Sequence, residues 1–317
     1  MSLARCAVTG ASGFLGSRLV QALVGAGSEV VACDQLSPAS ARAGVHYVRC
    51  DICDRAAIAD ALDGVDTVFH LSAVLPQRHA PAAEMRRVNV TGTATVLGEA
   101  LRAGVRRLVL LSSSEVYGAL AQIPCPETAR LAPIGEYGRN KVAAEALLAQ
   151  AEGIEWVALR PPTIVGAGMR EPLFDLLFRS AARGRPLVMI GDGGVRLQMI
   201  SVDDMVSACL LAATAEGASG QVLNIGFEPV ATLDEVVRQF RSRLGLQNRV
   251  IRVPGALARP LLHLAARLPG VPLEPDHAHL ALADYLLDTS RAQRVLGRQP
   301  SISPVDALLA AFESARR

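Results

Sequence analysis

Residues 8–19 read VTGASGFLGSRL, and the reading of this stretch decides the fold. It closes a short β-branched run, CAVTG, and opens a helical pattern, FLGSRLVQALVGAG. Gly10, Gly13 and Gly16 stand three apart, a G-x-x-G-x-x-G between a strand and a helix. Glycines in that place let the backbone turn sharply and approach a pyrophosphate, while the first N–H groups of the helix point at the anion. Backbone from Gly10, Ser12, Gly13, Phe14, Leu15 and Gly16 is therefore expected to line a dinucleotide. The glycines alone would also suit an ordinary βα turn; the next strand separates the two readings. EVVACD ends in Asp34, at the distance expected for a carboxylate that binds the adenosine ribose hydroxyls. Gln35 and Leu36 follow, with no Arg to hold a 2′-phosphate, which favours NAD over NADP. Asp51 and Ile52, after the third strand candidate, are expected beside the adenine.

Outward from this motif the pattern repeats. HYVRCD, DTVFHL, RRLVLLSS and EWVALR read as further strands, separated by helical stretches such as DRAAIADAL and MRRVNVTGTATVLGEALRAG. Such alternation predicts βαβ units and an α/β fold with a doubly wound parallel (Rossmann) sheet. Residues 1–160 are expected to form the NAD-binding domain. Residues 161–317 are expected to form a smaller, mostly helical substrate lobe that returns some segments to the main sheet. The bulk composition agrees with a globular enzyme: 317 residues, half of them apolar, and a net charge of +2. Acids and bases are intermixed, so nothing points to a nucleic acid partner. No uninterrupted apolar run is long enough to span a bilayer, and the first residues carry no apolar signal stretch, which predicts a cytoplasmic protein without membrane contact. The greasiest late segment, VPGALARPLLHLAARLPGVP, is broken by Arg259, His263 and Arg267 and is expected to pack inside the protein.

A second stretch carries the chemistry. EYGRNKVAAE, residues 136–145, contains Lys141, the only lysine among 32 basic residues. Tyr137 and Lys141 are four apart in a helical pattern, so both lie on one face, one turn apart. A free phenol has a pKa near ~10 and is a poor base at neutral pH. A nearby ammonium favours the phenolate, and its rotatable donors suit ribose hydroxyls in a way a planar guanidinium does not. Tyr137 is thus expected to transfer a proton, with Lys141 lowering its pKa and gripping the cofactor.

Taken with HLSA (residues 70–73), VNVTGT (88–93) and SSSEVYG (112–118), these motifs resemble an extended short-chain dehydrogenase/reductase. Within that superfamily the chain is similar to the NAD-dependent epimerase/dehydratase family, best known for nucleotide-sugar enzymes. The likeness runs on through LRPPTIVGAG, GDGGVRLQMISVDD and DTSRAQRVLG. It implies that Ser113 hydrogen-bonds the reacting oxygen and that Tyr117 is a structural tyrosine. It further implies that Leu71, Ser72, Ala73, Asn89 and Pro161 line the cofactor channel. Ser113, Ser114, Thr163 and Arg196 are the expected substrate contacts, and a homodimer built on a helix pair is the expected assembly.

The reaction subtype is less marked. Dehydratases of this family commonly carry Asp-Glu where this chain has Ser114-Glu115, and sugar-acid decarboxylases show Ser-Glu. Glu115 reads either as a chemical base or as a polar residue fixed by backbone donors. UDP-sugar epimerases usually place Asn shortly after the Arg of the sixth strand, where this chain has Arg160-Pro161-Pro162-Thr163. An Arg usually found about four residues beyond GDG is Leu197 by position, with Arg196 one place early. The leading expectation is an NAD-dependent nucleotide-sugar epimerase with a small-molecule substrate. The alternatives are a dehydratase or decarboxylase using Glu115, a dehydrogenase or ketoreductase of a hydrophobic alcohol, and a catalytically silent NAD-binding regulator. Cys50 and Cys53 form a C-x-x-C without a second pair, and His277 and His279 lack a third ligand, so no metal is expected.

Overall fold

The computed structural model describes residues 3–38, 41–76, 80–255 and 283–316. In chain order the strands are β1 (Arg5–Thr9), β2 (Glu29–Asp34), β3 (Val45–Arg49), β4 (Thr67–His70), β5 (Arg107–Leu111), β6 (Glu155–Arg160), β7 (Thr163–Val165), β8 (Leu187–Ile190), β9 (Met199–Ser201), β10 (Gln221–Asn224) and β11 (Val250–Val253). Seven of them form one parallel sheet in the order β10-β6-β5-β4-β1-β2-β3. The strand order reverses beside β1, which pairs with β2 on one side and β4 on the other. Crevices at such a switch point, beyond the strands' carboxyl ends, are where doubly wound sheets bind ligands. The central strands are buried on both faces, as helix-covered parallel strands require: all four residues of β4 are buried.

Two helical layers cover the sheet. On one face α1 (Phe14–Gly25) packs with α7 (Val202–Thr214) through Leu19, Leu23, Met205 and Cys209. On the other, α2 (Arg55–Ala61), α4 (Thr93–Arg102) and α5 (Glu136–Ala149) bury Ile58, Val96, Ala144 and Leu148 against the strands. Chain from beyond residue 161 therefore contributes to the main sheet and its cover: β10 pairs in parallel with β6. A separate cluster joins α6 (Pro172–Ala182), α8 (Leu233–Arg243) and the last helix, Pro304–Ala315, around Phe178, Phe240 and Phe312. Phe312 meets both other rings edge-on, with centroids 5.7 and 5.6 Å away, a favoured aromatic geometry. That region is not purely helical, because β8 and β11 pair in parallel within it.

One helix departs from its sequence pattern. The regular helix expected over MRRVNVTGTATVLGEALRAG is α3 (Ala82–Arg86), a π-turn (Arg87–Gly92) and then α4. The turn packs closely on the loop after β3: a Cβ on Gly92, its last residue, would lie 2.6 Å from Ile52 Cδ1. The widened turn carries Asn89 inward, and π-turns of this kind recur at functional sites. Among the described residues no helix is long and apolar enough to cross a membrane. Residues 256–272 of the apolar late segment, with His277 and His279, lie outside the described residues.

Candidate active site

The glycine turn sits at the switch point and is shaped by close backbone contacts. Gly10 has φ +71°, and a Cβ there would meet the Ser72 backbone nitrogen at 2.9 Å. A Cβ on Gly16 would lie 2.1 Å from the Gly10 carbonyl oxygen, so only glycine lets α1 start against the turn. Gly13 caps α1 in an extended conformation without a side-chain cap, and the first turn carries no acid. The N-terminus of α1 is thus presented as an anion cradle. Asp34 completes it: Oδ2 accepts from Ser12 N at 2.9 Å and Oδ1 from Leu36 N at 3.0 Å. A carboxylate has about four acceptor positions, so two hydrogen bonds leave room for a ribose diol. Asp34→Asn is expected to weaken NAD binding about tenfold, measured by calorimetric titration; unchanged affinity would remove Asp34 from the ribose site.

Asp51, Ile52 and Asn89, expected to line the cofactor, are tied to neighbouring segments of the protein. Asp51 accepts from Cys53 N at 2.9 Å and from both terminal nitrogens of Arg87, which hold its carboxyl below the usual range against the opposing effect of burial. Ile52 is buried against Gly92. Asn89 spends its amide on one backbone unit: Val74 N donates to Oδ1 at 2.7 Å and Nδ2 donates to Val74 O at 2.9 Å. It therefore fastens the segment that follows Leu71, Ser72 and Ala73. Of the C-x-x-C thiols, Cys53 Sγ donates to Arg87 O at 3.4 Å, while Cys50 is buried in the core.

The catalytic candidates gather where β5 ends. Ser113 caps a single 3-10 turn, Ser114–Val116, and its Oγ accepts from Glu115 N at 3.2 Å. Ser114 is buried; its N–H donates to Pro161 O and its carbonyl accepts from Tyr285 Oη at 2.8 Å. Helix α5 lies against this turn because Gly138 has no side chain: a Cβ there would sit 2.6 Å from Glu115 O. Tyr137 and Lys141 are both buried, with Nζ 5.5 Å from the phenol ring centroid. Lys141 Nζ donates to Leu111 O at 2.6 Å, and burial lowers its pKa to about 8 against the opposing charges of Glu145 and Glu115.

The expected acidification of Tyr137 is not what this structure displays. Burial, and then the negative charge of Glu115, push the phenol well above its ordinary value. The ammonium is directed at a carbonyl, and the phenol lies in low-dielectric surroundings that disfavour its anion. Glu115 also bears electrostatically on Lys141 and Tyr285, so its carboxylate belongs to the same site.

Beneath the turn runs a buried polar network that the sequence pattern did not single out. Ser112 Oγ donates to Glu145 Oε1 at 2.5 Å, and Arg160 grips the same carboxylate through Nε at 2.9 Å and a terminal nitrogen at 2.5 Å. Arg160 also donates to Tyr117 Oη, which donates to Asn224 Oδ1; both distances are 2.7 Å. Of its members the sequence marks Tyr117 as structural and places Arg160 at the end of the sixth strand; Glu145, four residues after Lys141 on the same helix, is a further available signal. On the substrate side Thr163 is exposed at the start of β7. Arg196 is held by Asp284, which accepts from its backbone N at 2.8 Å, Nε at 2.8 Å and a terminal nitrogen at 2.5 Å.

A glycine-lined anion cradle at the switch point, an acid at the end of β2 and a buried Tyr-Lys pair beside a serine turn define a dinucleotide-dependent enzyme of the α/β class. A model of the NAD-dependent epimerase/dehydratase family matches residues 6–226, and the chain belongs to that family. Its cofactor is NAD, and the cradle that a Cβ would fill at Gly10 or Gly16, with Asp34 beside it, fits that group. The chain is 30% identical over 331 residues to 3 beta-hydroxysteroid dehydrogenase/Delta 5-->4-isomerase of Mycobacterium tuberculosis, covering 96% of this chain and 89% of that protein. It is 32% identical over 276 residues to UDP-glucose 4-epimerase of Azospirillum brasilense, covering 77% and 78%. Among solved structures it is similar to MoeE5 in complex with UDP-glucuronic acid and NAD: TM-score 0.79, 31% identity, 98% of this chain and 99% of that one.

Proposed function

We propose that this enzyme interconverts epimers of a nucleotide sugar by transient oxidation of a secondary alcohol. The observation that carries the chemistry is the burial of Tyr137 and Lys141 directly against the turn bearing Ser113 and Glu115. Ser113 Oγ holds the reacting oxygen. Tyr137 takes the hydroxyl proton as its phenolate while the carbon is oxidised, and the phenol so formed gives it back on reduction; the positive charges of Lys141 and of bound NAD would oppose the burial that raises the phenol. Lys141, fixed by Leu111 O, supplies positive charge beside the phenol and donors for ribose hydroxyls. NAD, when bound, supplies the hydride acceptor; Gly10, Gly13 and Gly16 admit its pyrophosphate, Asp34 its ribose, and residues 71–73 with Pro161 form the channel wall. Hydride returned from the bound cofactor to the opposite face would invert the centre. The nucleotide-sugar assignment is supported by the likeness to MoeE5, whose complex contains UDP-glucuronic acid. We also place the enzyme in the cytoplasm, where its six free cysteines stay reduced, as a homodimer.

A second reading is favoured by the commitment of Arg196 to Asp284, which leaves that guanidinium engaged where a substrate pyrophosphate contact was expected. A net dehydrogenase of a hydrophobic alcohol needs no such contact, in keeping with the likeness to a hydroxysteroid dehydrogenase. The deciding experiment incubates the protein and NAD with UDP-, dTDP-, GDP- and CDP-sugars and, separately, with 3β-hydroxysteroids. Interconversion of two sugars without net NADH is expected. Stoichiometric NADH from a sterol would transfer the assignment to the second reading, and loss of water or CO2 from a sugar would assign Glu115 a chemical role.

A further inference from the structure

The end of β4 carries a buried histidine that the reaction chemistry leaves unused. His70 is 1% exposed. Its Nδ1 lies 2.7 Å from Thr9 Oγ1 and its Nε2 lies 2.9 Å from Thr93 Oγ1. The two threonines each make one further bond: Thr93 Oγ1 donates to Asn89 O at 2.8 Å, and Thr9 Oγ1 accepts from Ser72 N at 3.3 Å.

These partners fix every proton in the chain. A carbonyl only accepts, so the Thr93 hydroxyl proton goes to Asn89 O, and Thr93 Oγ1 must take its incoming bond from Nε2–H. The single proton of a neutral imidazole is then on Nε2, and Nδ1 is an acceptor. Thr9 gives its hydroxyl proton to Nδ1 and accepts from Ser72 N–H on its remaining lone pair. Ser72 N–H, Thr9, His70, Thr93 and the Asn89 carbonyl thus form one directional chain. An imidazolium would aim a second N–H at Thr9 and leave that hydroxyl proton without an acceptor. Burial, aided by the charge of Lys141, keeps the ring neutral, with a pKa near 3.

The ends of the chain are what give it a purpose. Ser72 N is the atom that a Cβ on Gly10 would strike. Asn89 is the residue whose amide clasps Val74 N and O. One end therefore sets where residue 72 lies against the glycine turn, and the other sets where residue 74 lies against the π-turn. We propose that His70 is a positioning residue for NAD: in its neutral Nε2–H form it holds residues 72–74 at the height that sets the width of the cofactor groove. The proposal does not depend on which substrate the enzyme takes.

Two measurements test it while leaving the imidazole in place. In the full-length protein labelled with 15N-histidine, the His70 resonances, assigned by their loss in His70→Gln, are expected to show the Nε2–H pattern without titration over pH ~5–8. An Nδ1–H pattern, or titration in that range, would overturn the proposal. Second, Thr93→Val, which keeps the side chain's shape and removes its hydroxyl, is expected to weaken NAD binding by about tenfold in calorimetric titration. Thr93→Ser, which keeps the hydroxyl, is expected to restore affinity to within about twofold. Equal NAD affinity in the parent and Thr93→Val, or equal weakening in Val and Ser, would refute a role in shaping the groove.

Discussion

Tyr137→Phe is expected to lower turnover by ~10²–10⁴-fold while NAD affinity stays within about twofold. The substitution removes one oxygen from a ring that is 8% exposed and leaves the packing of α5 unchanged. It takes away the proposed acid–base group and nothing of the glycine cradle or of Asp34. Lys141→Arg is expected to fail differently. Nζ is 2.6 Å from Leu111 O in a site 3% exposed, and a longer, planar guanidinium does not fit without moving the helix. That variant is expected to lose NAD affinity as well as turnover. Steady-state kinetics with parallel NAD titrations distinguish the two, and full turnover in Tyr137→Phe would end its assignment as the proton-transfer group.

The second large effect lies beneath the site. The Arg160–Glu145 pair has side chains 4% and 7% exposed and carries Ser112 and Tyr117 with it. Glu145→Ala leaves a buried guanidinium without its carboxylate, a change that costs about 3–5 kcal/mol. The expected result is a lower denaturation midpoint with an unchanged slope. Adding Arg160→Met to Glu145→Leu is expected to recover most of that stability, because two apolar side chains replace two buried charges. Activity should not return with it, since Ser112 loses its acceptor beside Ser113 and Lys141 loses a charge that keeps it protonated. A stable double variant with full activity would make the network purely structural.

How much of this was legible in the chain depends on distance along it. The glycine turn and the strand–helix alternation follow from local steric rules and periodicity, and the seven-stranded sheet contains every strand expected before residue 161. Tyr137 and Lys141 share a face because four residues make about one helical turn. The π-turn at Asn89 was not legible, because the apolar periodicity of the segment reads as one regular helix through it. Nor was the direction of the Tyr137 shift: a neighbouring lysine predicts a more acidic phenol, but burial and the placement of Glu115 outweigh it here.

By itself, then, the sequence determined what short-range rules can encode: the parallel α/β fold, the turn that admits NAD, and the Tyr137–Lys141 pair set four apart on one helix face. Only the tertiary structure decided which polar groups are committed to one another. Arg196 finds Asp284 across 88 residues, His70 finds Thr9 across 61, and Ser112 finds Glu145 across 33. The physical reason is that a hydrogen bond acts over about 3 Å of space whatever the separation along the chain. Its value depends on burial that exists only once the sheet and its helices have packed.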